Sequence, residues 1–167
     1  MRNQKYPLIF IVEDNPTYNK LIFNHLRSHK LINTESYLSG EECLKNIHHK
    51  PDIIIQDYLL DGISGLDVLV ATKKKCPSTD FVFLSGQDNI EIAINCMRFG
   101  AYDYIVKDQY ALIKLSDKIN KILIHRELIN NNKRFKRGIL FFSIALSIII
   151  LIFAILAILY PNTFSVH

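Results

Sequence analysis

The stretch "IIIQDYLLDGISGLDVL", residues 53–69, contains the signals of a strand, a loop and a helix. Ile53–Gln56 is short and mostly apolar, as expected for a parallel strand that is covered on both faces. Ser64 to Asp67, "SGLD", has the spacing of a capping box, which predicts that a helix begins there. The stretch therefore predicts one strand-to-helix unit with Asp57 directly after the strand.

The same unit is repeated along the 167-residue chain. Further apolar runs predict strands at Leu8–Val12, Ile32–Tyr37, Phe81–Leu84 and Tyr104–Val106. Helix signals fill the intervals: Pro16 as a first helical residue, capping boxes at Ser39–Glu42 and Asp88–Glu91, and a last helix from Tyr110 to Ile129, with a short joint at Asn130–Asn132. Strict alternation predicts an α/β fold, a doubly wound five-stranded parallel sheet with helices on both faces.

Chemically active side chains follow four of these strands. They are Glu13 and Asp14 after the first strand, Asp57 after the third, Ser85 at the end of the fourth and Lys107 at the end of the fifth. Sites in such sheets lie beyond the carboxyl ends of the strands, so we expect these groups to meet at one edge. Clustered carboxylates repel one another and need a cation, and Mg²⁺ is suited to carboxylate oxygens.

Each of these residues also has an ordinary explanation when it is taken alone. Asp14 or Asn15 could cap a helix, Ser85 could belong to a turn, and Lys107 could be a surface charge. Their combination at the ends of neighbouring strands is what favours a site.

Four motifs give the chain a family resemblance. "IFIVEDN", "IIIQDYLLDGISGLDVL", "FLSG" and "GAYDYIVK" resemble the receiver domain of two-component response regulators, over about Lys5 to Ile129. The resemblance implies a flavodoxin-like fold with strand order 2-1-3-4-5. It also implies that the protein is a phosphoacceptor in signalling and not an enzyme that acts on other substrates.

The resemblance assigns roles to individual residues. These are Asp57 as the phosphoacceptor; Glu13, Asp14, Asp57 and the backbone carbonyl of Leu59 as Mg²⁺ ligands; Ser85 and Lys107 as phosphoryl-binding groups; and Tyr104 as the switch aromatic. A carboxylate can accept a phosphoryl group as an acyl phosphate. Two positions depart from the family pattern, because Asp108 and Asp61 stand where proline is usual.

The implied function is that of a single-domain response regulator phosphorylated by a histidine kinase or a histidine phosphotransfer protein. Two alternatives stay open. A non-phosphorylated scaffold would use the same fold for assembly alone, and an aspartate-nucleophile phosphatase would need a second acid where this chain has Leu59. The net charge of +4 equals the contribution of one cluster, Lys133, Arg134, Lys136 and Arg137, so we expect no nucleic-acid partner.

Residues 138–160 carry no charge. About 20 apolar residues suffice to cross a bilayer as a helix, so this segment predicts a transmembrane anchor. The basic cluster before it predicts a cytoplasmic N-terminal side, in the inner membrane of a bacterium, and contact with anionic lipid. Small residues on one face, Ser143, Ser147, Ala154 and Ala157, would allow a homodimer through this helix. Two alternatives stay open: the helix anchors the receiver to a membrane-bound sensor or transporter, or the small residues have no pairing role.

The resulting domain prediction has four parts. Residues 1–129 form the receiver domain, 130–137 a basic juxtamembrane linker, 138–160 the transmembrane helix and 161–167 a short extracytoplasmic tail. Cys43, Cys76 and Cys96 lack metal-binding spacing and are expected to be reduced thiols.

Overall fold

The computed structural model describes the backbone of residues 6–159 and the side chains of residues 6–129, 139 and 141–152. The predicted tail, 161–167, lies outside the described residues. The chain divides into two compact units, one ending at Ile122 and one beginning at Leu123, and each is considered by itself.

Five parallel strands form one sheet in the order β2-β1-β3-β4-β5. The strands are β1 (Ile9–Val12), β2 (Thr34–Tyr37), β3 (Ile53–Gln56), β4 (Asp80–Ser85) and β5 (Asp103–Val106). The predicted sheet and its strand order are confirmed. Strand β2 begins later than predicted: Ile32 stays 58% exposed at the sheet edge, where the second strand has a partner on one side only.

Five helices connect and follow the strands. They are α1 (Pro16–Ser28), α2 (Gly40–Lys45), α3 (Gly65–Lys75), α4 (Ile90–Arg98) and α5 (Ala111–Leu159), with a short 3₁₀ turn at Ile47–His49. Ser39 and Ser64 cap α2 and α3 as predicted, each accepting a backbone N–H three residues on. The prediction for α4 was wrong by one residue, because Asn89 is its cap and accepts the N–H of Glu91 at 2.8 Å.

The predicted joint at Asn130–Asn132 was also wrong. Helix α5 is continuous from Ala111 to Leu159. Each asparagine costs a helix interior only about 0.6 kcal/mol relative to alanine, so three of them weaken a long helix without ending it. Within the residues that the structure describes, no helix combines the length and the apolar character that crossing a membrane requires.

The centre of the sheet forms the core. All residues of β1 and β3 are buried, and Phe10, Phe81 and Phe83 are its largest fully buried side chains. The amide N–H of Asp57 donates to the carbonyl of Val12 at 2.9 Å, which extends the pairing of β1 and β3 to the edge where the predicted site residues lie.

Gly65 brings helix α3 close to this edge. A Cβ atom at position 65 would lie 2.2 Å from the carbonyl oxygen of Asp57, far inside van der Waals contact. The same oxygen accepts a hydrogen bond from Nε2 of Gln56 at 2.8 Å. Any larger residue at position 65 must therefore displace either the helix or the backbone of Asp57.

We predict that Gly65→Ala lowers the free energy of unfolding by about 2 kcal/mol, the usual cost of overpacking a tight contact. Gly86→Ala is the control, because a Cβ at that position meets nothing within 4 Å; it should change stability by less than about 0.5 kcal/mol. Urea denaturation of both variants measures the difference. Equal losses would show that the Gly65 contact is not the cause.

Candidate acidic site at the carboxyl edge of the sheet

The acidic pair after β1 has one buried and one partly exposed member. Glu13 is buried, and its N–H donates to the carbonyl of Tyr37 at 3.2 Å. The side chain of Asn15 caps α1 by accepting the N–H groups of Thr17 and Tyr18. Because Asn15 serves as the helix cap, the carboxylate of Asp14 is left to take part in the acidic cluster.

One oxygen from each of Glu13, Asp14 and Asp57 lies within 4.8 Å of the others. Burial raises the pKa of Glu13, the hydrogen bond from Lys107 opposes this, and the negative charge of Asp57 raises it further. Three carboxylates against one ammonium leave a net charge of about −2. Hard oxygen ligands with that excess fit a divalent cation such as Mg²⁺.

Lys107 joins two of these carboxylates. Its Nζ donates to Oε2 of Glu13 at 2.8 Å and to Oδ2 of Asp57 at 2.6 Å. Burial by itself lowers the pKa of Lys107, but the hydrogen bonds with Asp57 and Glu13 outweigh it and hold the pKa above its ordinary value. The lysine is therefore charged and acts as an internal counter-ion.

Ser85 and Tyr104 form a second group on the neighbouring strands. Ser85 is fully buried, and its Oγ accepts the N–H of Gln87 at 3.2 Å. The hydroxyl of Tyr104 donates to the carbonyl of Gln87 at 2.8 Å, and its ring stacks on Phe83. Both predicted residues thus contact the loop that follows β4. Burial raises the pKa of Tyr104, and a hydrogen bond with Ser85 opposes that effect.

Alternate N–H groups in the loop between β3 and α3 donate to carboxylates. The bonds run from Leu59 to Asp57 (3.3 Å), from Asp61 to Asp14 (3.2 Å) and from Ile63 to Glu41 (3.0 Å). Proline has no N–H, so the unusual Asp61 supplies a bond that the family's usual residue could not. The loop that carries Leu59 is fixed to the acidic cluster, whereas metal binding by the Leu59 carbonyl remains a prediction.

The other departure, Asp108, closes the turn after Lys107. Its Oδ1 accepts the N–H of Tyr110 at 2.8 Å, and its Oδ2 pairs with Lys114 at 2.6 Å. Aspartate commonly makes such turns by bonding to the backbone two residues on. No peptide bond among residues 6–159 is cis.

Three contacts of the site were not predicted. In the loop between β3 and α3, Glu41 accepts the N–H of Ile63, and Asp14 accepts the N–H of Asp61. The ring of Tyr18 lies 4.6 Å from Nζ of Lys107. The position of Tyr18, in the first turn of the helix after the acidic pair, is the only sequence signal for its contact. The other two depend on how the loop folds back.

A doubly wound sheet with an acidic cluster and a lysine at its carboxyl edge is the arrangement expected of a phosphoacceptor signalling module. A family model described as the response regulator receiver domain matches residues 9–120, more than half of the chain. The chain therefore belongs to the response regulator receiver domain family. Domains of this family bind Mg²⁺ at an acidic pocket and work with a histidine kinase or a phosphotransfer protein.

Individual relatives agree with this assignment. The chain is 36% identical over 70 residues to the regulatory protein LuxO of Vibrio cholerae. The matched residues make up 41% of this chain and 15% of LuxO. A CheY-like receiver domain protein from Methanospirillum hungatei superposes with a TM-score of 0.68 at 22% identity, over 74% of this chain and 98% of that one.

A response regulator receiver protein from Pseudomonas putida gives a TM-score of 0.64 at 25% identity, over 71% of this chain and 98% of that one. The chain matches only 15–21% of the length of the first curated relatives.

We predict that Lys107→Met lowers the free energy of unfolding by about 3 kcal/mol in metal-free buffer, because two buried carboxylates lose their counter-ion. Mg²⁺ should then raise the melting temperature of the variant more than that of the unaltered protein. The control is Lys114→Met, which breaks a half-exposed pair and should cost less than about 1 kcal/mol. Thermal melts with and without Mg²⁺ measure both. Loss of the Mg²⁺ response in Lys107→Met would mean that the lysine builds the metal site.

Proposed function

We propose that the chain is a membrane-anchored response regulator in which Asp57 accepts a phosphoryl group from a histidine kinase or a histidine phosphotransfer protein. The proposal rests above all on one observation: Oδ2 of Asp57 lies 2.6 Å from Nζ of Lys107 beside two further carboxylates. Output is by protein–protein interaction, since the positive charge is concentrated in the basic cluster, residues 133–137, and not on the receiver.

The transfer is a substitution at phosphorus. A carboxylate oxygen of Asp57 forms a bond to phosphorus while the bond from phosphorus to the donor's imidazole nitrogen breaks. The electron pair stays on that nitrogen, which takes up a proton from solvent. Lys107 gives up its hydrogen bond with Asp57 and donates to a phosphoryl oxygen instead, as the hydroxyl of Ser85 also does.

Glu13, Asp14 and Asp57, with the backbone carbonyl of Leu59, would hold Mg²⁺. When bound, the cation neutralises charge on the phosphoryl oxygens. Glu13 also keeps its hydrogen bond with Lys107, so the ammonium stays beside the acceptor while Asp57 reacts.

The added phosphoryl charge of about −1.5 to −2 drives the conformational response. Ser85 moves toward the phosphoryl group, and its hydrogen bond with the N–H of Gln87 draws the loop after β4 along with it. Tyr104 is tied to the same loop through the Gln87 carbonyl, so it shifts as the loop shifts. Ser85, Tyr104 and the loop after β4 thus form a two-state element, through which the added charge changes the protein surface around that loop.

We further propose that residues 138–160 anchor the receiver in the cytoplasmic membrane, with the N-terminal side in the cytoplasm and the basic cluster against anionic lipid. Support comes from helix α5, where Phe141, Phe142 and Ile149–Leu151 are 61–72% exposed on several faces. A single partner helix covers one face, whereas lipid covers all of them.

Pairing of two copies through this helix is a part of the same proposal. Ser143 and Ser147 line a shallow groove with Ile144, Ile148 and Leu151. The hydroxyls of both serines donate to backbone carbonyls four residues earlier, at 2.9 Å, so neither needs a polar partner from another chain. Small side chains in such a groove allow a second helix to approach closely.

We predict that acetyl phosphate and Mg²⁺ place one phosphoryl group on the unaltered protein and none on Asp57→Ala, as read by intact-protein mass spectrometry. Asp61→Ala is the control, because it removes a nearby carboxylate and keeps the N–H that contacts Asp14; it should be phosphorylated. An adduct on Asp57→Ala would contradict the assignment of the acceptor. No adduct on the unaltered protein would favour the non-phosphorylated scaffold.

We predict that the full chain sediments with membranes and that protease added to intact cells leaves the receiver uncut. Ile149→Arg should move a large fraction to the soluble phase, since a charge at mid-span costs about 2.5–3.5 kcal/mol. Ile124→Arg, at an equally exposed position outside residues 138–160, should stay with the membrane. Unaltered protein in the soluble fraction would rule out the anchor, and digestion of the receiver would reverse its orientation.

A further inference from the structure

Tyr18 lies beside the acidic site without belonging to its charged groups. It is the third residue of α1, and its N–H donates to the capping side chain of Asn15 at 3.1 Å. This bond fixes the first turn of the helix directly after the acidic pair. The half-buried ring is thereby held at the edge of the sheet where Lys107 emerges from β5.

Among the residues with described side chains, three contact the ammonium of Lys107. Two are carboxylates, Glu13 and Asp57, each within hydrogen-bond distance. The third is the ring of Tyr18, whose centroid lies 4.6 Å from Nζ. Cations within about 6 Å of an aromatic face are attracted by the ring's quadrupole, so this is an attractive contact and not merely a packed one.

We propose that Tyr18 is a positioning residue for phosphoryl transfer, holding the Lys107 ammonium beside the acceptor while the hydrogen bond to Asp57 is exchanged for one to the phosphoryl group. The inference rests on the proposed function of Asp57. A carboxylate in the place of the ring could also hold the ammonium, but its negative charge would repel the incoming phosphoryl group. A neutral ring attracts the cation, adds no net negative charge and accepts no strong hydrogen bond that must be broken.

Two substitutions separate this role from simple packing. Tyr18→Phe keeps the aromatic face and loses the hydroxyl, whereas Tyr18→Leu keeps apolar bulk and loses the face. Tyr6→Leu is the matched control, because Tyr6 precedes β1 and lies at the opposite, amino edge of the sheet. All variants are made in the full chain.

The first measurement is the rate of phosphorylation by acetyl phosphate at saturating Mg²⁺. Tyr18→Leu should react about 3- to 5-fold more slowly, as expected for one partly solvated cation–π contact, while Tyr18→Phe and Tyr6→Leu stay within about 2-fold of the unaltered protein. Mg²⁺ affinity should be the same in all four proteins. Equal slowing of Tyr18→Phe and Tyr18→Leu, or no slowing of either, would overturn the inference.

The second measurement reads the contact without any chemistry. In protein labelled with ¹³C-lysine, ring currents should shift the ε-methylene resonance of Lys107, and Tyr18→Leu alone should remove that shift. If the unaltered protein is phosphorylated but Tyr18→Leu does not change the Lys107 resonance, the positioning role is overturned and the proposed function is not. An unaltered protein that takes no phosphoryl group would overturn both.

Discussion

The contacts of the Lys107 ammonium with Glu13 and Asp57 hold the acidic site together. The ammonium lies between the carboxylates of Glu13 and Asp57, which follow the neighbouring strands β1 and β3, and it counters repulsion that burial would otherwise make costly. One positive charge does not balance three carboxylates. The remaining negative charge at the strand ends suits a divalent cation. In the proposed function, it also leaves an oxygen of Asp57 to accept the phosphoryl group.

The fold supplies this frame through close backbone contacts. Gly65 lets the start of α3 touch the carbonyl of Asp57, and the loop before it gives alternate N–H groups to carboxylates. The loop is therefore held in part by Asp14 and Asp57, two of the groups that would bind the metal. A change of charge at Asp57 would therefore act directly on the loop between β3 and α3, and on the loop after β4 through Ser85.

Much of this architecture was predictable from local patterns. Apolar runs identified all five strands, and the rule for strand ends correctly predicted that Glu13, Asp57 and Lys107 lie at one edge of the sheet. Contacts that depend on how distant segments fold back were not predictable, and Tyr18 and Glu41 are examples. Helix ends were the other weakness: Asn89 took the capping position expected of Asp88, and three asparagines did not interrupt α5 because helix propensity is a weak local term.

The proposed function requires Lys107 to be a movable counter-ion that leaves Asp57 for the phosphoryl group. The most direct measurement is a crystal structure of the chain with Mg²⁺ and beryllofluoride, a mimic of the phosphoryl group. We predict beryllofluoride on Asp57, with Nζ of Lys107 moved from its 2.6 Å contact with Oδ2 to a fluorine atom and still hydrogen-bonded to Glu13. An unmodified Asp57 that keeps its contact with Lys107 in the presence of both ligands would contradict this prediction.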